Sequence, residues 1–226
     1  MKKISLMAAA LMSVSTAALA DGPFVGPYVS VAVGVQKDSN LLQEYNANAG
    51  SSRYSTDANS SDMAYSASIG YNTQLSNGVI VGLEGVYDRS TGRKEVTRQY
   101  RSNGSAGYNV TTDVKYTASL RAKAGVTAFE DSTFLYAALG AATAKVDYTF
   151  ANGNNVIFSD GYAKEQHTGG LFALGASYRL TDNISIFGEG SHTIYATDKN
   201  IADYNNYQSD SKLRITNLKV GLSYSF

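Results

Sequence analysis

The chain has 226 residues, with 19 basic and 19 acidic side chains, 17 Tyr, 21 Gly, two Pro and neither Cys nor Trp. A charge balance this even excludes the electrostatic footprint of a nucleic-acid binder, and the lack of thiols excludes any metal site built on Cys. The Tyr- and Gly-rich, Pro-poor composition favours β structure in one domain.

The chain opens MKKISLMAAALMSVSTAALA, with Lys2 and Lys3, a short apolar run from Ile4 to Val14, and Ala18-Leu19-Ala20 before Asp21. That is the layout of a secretory signal peptide, so residues 1–20 are expected to be removed and residues 21–226 to form the mature domain. Without Lys2 and Lys3 the mature chain is about two charges negative. After Ala20 no apolar run approaches the roughly 18–20 residues of a spanning helix, whereas a barrel strand needs only about 9–11 alternating ones.

Eight alternating segments follow. PYVSVAVGVQ sets Val29, Val31, Val33 and Val35 against Ser30, Ala32, Gly34 and Gln36. DMAYSASIGYNTQL sets Met63, Tyr65, Ile69 and Tyr71 against Ser66, Ser68, Gly70 and Asn72, and ends at a turn near Asn77. VIVGLEGVYD sets Val81, Leu83 and Tyr87 against Gly82, Glu84 and Asp88. TDVKYTASLRAKAGV is the most informative: Val114, Tyr116, Leu120 and Val126 share one face, and Asp113, Lys115, Arg121 and Lys123 the other. In FLYAALGAATAKVDY the parity is ambiguous; Phe134, Tyr136, Val146 and Tyr148 are assigned outward, with room for a bulge. HTGGLFALGASYRL sets Phe172, Leu174 and Tyr178 against Leu171, Ala173 and Ser177. ISIFGEGSHTIY sets Ile184, Ile186 and Ile194 against Ser185, Glu189 and Ser191. The last, LKVGLSYSF, sets Leu218, Val220, Leu222, Tyr224 and Phe226 against Lys219, Gly221, Ser223 and Ser225.

Successive strand residues point to opposite faces, so each segment has one apolar and one small or polar side. The connections alternate as well: short near Asn77, Asp131 and Asp182, and long over residues 38–61, 89–111, 150–166 and 196–211. Short turns at one end and long loops at the other are the outer-membrane pattern. Aromatic residues gather near both ends, as interfacial girdles do. The expected fold is therefore all-β: an eight-stranded antiparallel up-and-down transmembrane β-barrel with four long extracellular loops, its last strand closing on its first.

The mature chain resembles the small eight-stranded outer-membrane barrels of Gram-negative bacteria, the porin-like or outer membrane protein A-like group. The resemblance rests on Gly26-Pro27-Tyr28-Val29, on VGLEGVY from Val81 to Tyr87, and on the C-terminal segment. It implies the cell outer membrane as location and the barrel-assembly machinery as a partner. Leu218, Val220, Gly221, Leu222, Tyr224 and Phe226 resemble the assembly signal which that machinery reads.

A barrel of eight strands is just wide enough for side chains to fill, so inward charges must pair or stay wet. Glu84, Lys115, Arg121, Lys123, Glu189 and Lys219 are the expected interior charges, with Glu84 near Arg121 and Lys123, and Glu189 near Lys219. They form either a structural plug or a narrow path for ions or small solutes. The two histidines suggest no catalytic pair: His167 has inward parity, and His192 points away from its neighbour Ser191. No enzymatic activity, cofactor or metal is expected. The second loop carries Arg89, Arg93, Lys94, Arg98 and Arg101, suited to lipopolysaccharide phosphates or to an anionic host or surface ligand. Function is thus expected to be that of a structural barrel with interacting surface loops, or of a small porin-like pore.

Overall fold

A computed structural model of the chain describes residues 24–46, 52–91, 95–100, 106–152, 155–156, 162–204 and 207–226. The expected leader, residues 1–20, lies outside the described residues. Eleven strands follow in order: β1 (Gly26–Asn46), β2 (Ser52–Gln74), β3 (Val79–Ser90), β4 (Glu95–Tyr100), β5 (Ala106–Ala128), β6 (Thr133–Asn152), β7 (Asn155–Val156), β8 (Tyr162–Arg179), β9 (Ile184–Tyr195), β10 (Asp198–Tyr204) and β11 (Tyr207–Ser225).

Eight of these are staves of one closed antiparallel barrel, in the cyclic order β1, β2, β3, β5, β6, β8, β9, β11. Short β4, β7 and β10 pair with β5, β6 and β11 at the long-connection end. Closure falls between β1 and β11, paired from Tyr28–Ser225 to Asn46–Tyr207. The amide of Phe226 adds a hydrogen bond of 3.0 Å to the Pro27 carbonyl. Across the height of the apolar belt each stave is paired along both edges, which is what a hydrocarbon environment demands of backbone groups that have no water to bond.

The side-chain parity turns the hydrophobic residues outward. Leu120 is 65% exposed, Leu218 64%, Leu83 61% and Val31 63%. A continuous apolar belt of this kind marks a surface covered by something other than water. Toward the short turns it ends in Phe129, Tyr178, Tyr224 and Phe226, and toward the long connections in Tyr65 and the stacked pair Tyr87–Tyr116.

Three expectations need correction. First, Phe134, Tyr136, Val146 and Tyr148 point inward and are buried, while Leu135 and Leu139 face out. Strand β6 alternates from Phe134 to Tyr148 with no shift of register against β8. Alanines occupy both of its faces, so apolarity alone could not tell them apart; the tyrosine hydroxyls find their partners only inside. Second, Lys115 is not an interior residue. The register of β5 against β6 shifts between Val114 and Tyr116, and this bulge turns Lys115 to the half-exposed rim beside Asp113 and Asp147. An extra residue inverts the parity beyond it, which also buries Val114. Third, much of the sequence read as long loops is strand: β1 and β2 stay paired up to Tyr45–Ser52. Above the apolar belt the outward face loses its run of large apolar side chains, so the alternation that reveals a strand fades while the backbone pairing continues.

The β5–β6 turn holds Phe129, Glu130 and Asp131 in succession at φ of 52°, 55° and 60°. Such conformations cost a side-chain-bearing residue roughly 1–2 kcal/mol. Ser132 returns both its amide and its hydroxyl to the Phe129 carbonyl, at 3.1 and 2.6 Å. Glu130→Gly is accordingly expected to stabilise the barrel by about 1 kcal/mol, read from urea unfolding in lipid vesicles. Leu120→Arg, in the middle of the belt, is expected to cost about 2–4 kcal/mol in the same assay; unchanged stability would remove lipid from that face.

Candidate functional site

Three basic and three acidic side chains meet inside the barrel. Glu84 and Asp88 come from β3, Arg121 and Lys123 from β5, Glu189 from β9 and Lys219 from β11; all are buried. Strand parity places each of them inward, and the register sets Glu84 opposite Arg121 and Glu189 opposite Lys219. The tilted staves then bring β5 and β9 within reach across the lumen.

Arg121 is the centre. Its Nη1 and Nη2 donate to Oε1 and Oε2 of Glu189 at 2.8 and 2.7 Å, and its Nε donates to Glu84 Oε2 at 2.7 Å. A guanidinium matches carboxylates in this two-pronged way as an ammonium cannot. Lys123 lies 3.3 Å from Glu84, donates to the Tyr28 hydroxyl at 3.0 Å, and stands over the rings of Tyr28 and Tyr136 at 4.9 and 4.4 Å. Tyr136 donates to Glu189 at 3.0 Å, and Ser68 to Glu84 at 2.8 Å.

Lys219 reaches Asp88 at 2.8 Å and stands 4.0 Å from Glu189, whose oxygens Arg121 and Tyr136 already occupy. The two clusters read from the sequence are thus one network, and Asp88, Tyr28 and Tyr136 are members that reasoning missed. Asp88 has the right parity in VGLEGVYD; what the sequence lacks is the tilt that sets it opposite Lys219. Two glycines make room for the rings. A Cβ on Gly70 would stand 2.4 Å from the Tyr28 hydroxyl, and one on Gly175 would stand 2.4 Å from the Tyr136 ring.

Above and below, further side chains enter the lumen. Toward the rim, Val114, Val146, Leu171, Leu213 and Ile215 form a buried apolar layer. Beside it, Tyr148 links His167 Nε2 at 2.9 Å to Ser211 at 2.8 Å, and Ser211 donates to Asn40 at 2.8 Å. Toward the short turns, Phe24 lies inside the barrel, stacked on Phe134, and its carbonyl accepts from Asn72 at 2.9 Å. The cavities beside the network measure about 30 Å³ near Tyr28 and Asn72 and about 10 Å³ near Thr117 and Asn217. Each holds no more than a water or two.

The C-terminal residues Leu218, Val220, Leu222, Tyr224 and Phe226 form one exposed outward row. Gly221 faces in, where its missing side chain leaves room for Phe187. In the basic segment, Arg89 is outward and exposed at the upper end of β3. Arg93, Lys94 and Arg101 lie outside the described residues, as does the side chain of Arg98.

A closed barrel with an apolar exterior and an ionic interior is a membrane-spanning β-barrel. The chain belongs to the outer membrane protein beta-barrel domain family, whose model matches residues 6–226, and the cell outer membrane is its location. Among curated relatives, the 31 kDa outer-membrane immunogenic proteins of Brucella melitensis and Brucella suis are each 29% identical over 159 residues, 70% of this chain and 63% of theirs. The match therefore spans less than two thirds of those relatives. Among solved structures, outer membrane protein OprG from Pseudomonas aeruginosa superposes with a TM-score of 0.58 at 13% identity, covering 92% of this chain and 99% of that one. The outer membrane protease OmpT from Escherichia coli gives 0.53 at 12%, covering 94% and 100%. At these identities the likeness is one of fold.

Removing one partner from a buried ionic network strands the others. Arg121→Ala is expected to cost about 3–5 kcal/mol by urea unfolding in vesicles, whereas Arg121→Met with Glu189→Gln, which leaves Lys123 with Glu84 and Lys219 with Asp88, recovers most of that loss.

Proposed function

We propose that the protein is a structural outer-membrane barrel with a closed lumen, whose surface segments meet partners outside the cell. The observation that carries this reading is the Arg121 network: Glu84, Arg121 and Glu189 tie three staves together, and the cavities around them are water-sized. Beside the network the space left to an ion is narrow, and moving one of these charges aside would break several charge-assisted bonds at once.

The second connection, with Arg89, Arg93, Lys94, Arg98 and Arg101, offers cations to the phosphates of the outer leaflet or to an anionic surface ligand. The Tyr-, Asn- and Ser-rich connections have the composition of recognition surfaces. Before that stage, residues 1–20 act as the export signal, and the row from Leu218 to Phe226 as the assembly signal. An enzymatic reading finds little support. His167 is fully buried and bonded to Tyr148, and His192 faces outward beside Thr216 at 2.9 Å.

Single-channel recording in planar bilayers tests the closed lumen. The expected result is no steady conductance for the native chain, and flickering openings once Arg121→Ala loosens the centre. Stable openings of the native chain that shift with Glu84→Gln or Arg121→Gln would establish the small pore instead.

A further inference from the structure

The outward face of β1 and β11 changes character abruptly, while β9 keeps an exposed Ile194 opposite Arg214. From the short turns upward the face of β1 and β11 is apolar, ending with Val35 opposite Leu218. The next outward residue on β1 is Lys37, opposite Thr216, and the next on β11 after Thr216 is Arg214, opposite Ser39. On the other flank Thr216 faces His192, whose Nδ1 lies 2.9 Å from the threonine hydroxyl. Lys37, Arg214, Thr216 and His192 are all exposed. Diagonal neighbours on adjacent strands stand about 7–8 Å apart, a spacing that lets Lys37 and Arg214 converge on one anion.

Among the described residues neither cation has an ion-pair partner, in contrast to Arg121, Lys123, Lys219 and Lys115. The nearby acids whose side chains are described point elsewhere. Asp38 is buried on the inward face, Asp62 shares that parity, and Asp210 lies further up β11, beyond Lys212. The height is also informative. From Pro27 to Lys37 the strand advances about ten residues, which at about 3.3 Å each and a tilt near 40° rises roughly 25 Å. That is the height of the apolar band of an outer-membrane barrel, so the two cations stand at the outer headgroup level.

Below His192 the same face of β9 carries Gly190 and Gly188. They lie between Leu218 and Val220 of β11 on one side and Leu174 and Ala176 of β8 on the other. A Cβ built on either glycine meets no atom within 4 Å. The strip without side chains runs down from the histidine and stops at Ile186, which is 44% exposed.

We propose that this face seats one molecule of lipopolysaccharide through its phosphorylated lipid anchor. Lys37 and Arg214 hold a phosphate, with Thr216 and His192 beside it, and an acyl chain lies along Gly190 and Gly188. A bare phosphate would use only the cations. The adjoining apolar strip, at the depth where hydrocarbon begins, selects an anion that carries a chain. The proposal rests on the membrane placement of the barrel and is independent of the basic second connection.

The test uses the full barrel in phosphatidylcholine nanodiscs, titrated with bisphosphorylated lipid A and followed by native mass spectrometry. Each cation removed near a membrane surface is expected to weaken binding about fivefold, so Lys37→Gln with Arg214→Gln lowers it about thirtyfold. The Cβ of Gly190→Leu enters open space and its branch fills the strip; it is expected to weaken binding with thermal unfolding unchanged. The closed lumen is tested separately, by conductance. Native-like binding by the Lys37/Arg214 double variant, equal binding of dephosphorylated lipid A, or displacement of lipid A by millimolar inorganic phosphate would overturn the seat. Unchanged binding by Gly190→Leu would overturn its acyl-chain half.

Discussion

The structure depends on one pairing, that of the first stave with the last. Inside a bilayer an unpaired strand edge has no water to bond, and each orphaned amide or carbonyl costs several kcal/mol. The pairing of β1 with β11, from Tyr28–Ser225 upward, removes that cost for the whole sheet at once. It also joins residues as far apart as Ser30 and Ser223, whose hydroxyls lie 3.0 Å apart. Contacts of such sequence separation form late, because chain entropy must be lost before they contribute. The intervening hairpins are local and have no such delay. The apolar row from Leu218 to Phe226 therefore lies on a stave that pairs locally with β9 and whose other edge, the one that meets β1, is the last to be covered.

Closure creates the second constraint. Eight staves enclose a space too narrow to be left empty and, with polar parity facing in, too polar to be packed as oil. The chain resolves this with charges in equal number, tied by a guanidinium that contacts carboxylates from both sides. Such a network contributes less to stability than an apolar core of the same volume would, since each ion has been desolvated. What it adds is register. Sliding β5 by one residue would turn Arg121 and Lys123 out to lipid and strand Glu84 and Glu189 inside. The tyrosines work in the same direction, because Tyr28 and Tyr136 fit only where Gly70 and Gly175 leave their rings room.

How much of this could be read from the sequence follows from what alternation encodes. Where one face meets lipid and the other a polar lumen, contrast is high. The outward rows of β1, β2, β3, β8 and β11 were legible residue by residue, and so were the inward Glu84, Arg121, Lys123, Glu189 and Lys219. In β6 the contrast fails, since alanine is tolerated on either face and tyrosine suits both an interface and a polar interior. Only the position of hydroxyl partners decides, and those come from other strands. Lys115 was lost to a bulge, a change of count rather than of composition. Asp88 and the chain from His167 through Tyr148 and Ser211 to Asn40 were hidden for a different reason. Their contacts join staves through the lumen, and which heights coincide is set by tilt and stagger, which a pattern of residues does not record.

The length of the staves has a further consequence. β2 and β5 each run for 23 residues, where about 9–11 suffice to cross the hydrocarbon. At about 3.3 Å per residue and a tilt near 40°, a stave of this length is nearly 60 Å tall. With one end anchored by short turns just beneath the membrane, roughly half of that height stands clear of it as a palisade. The connections between staves are then attached well above the lipid, at a height set by strand length rather than by loop length.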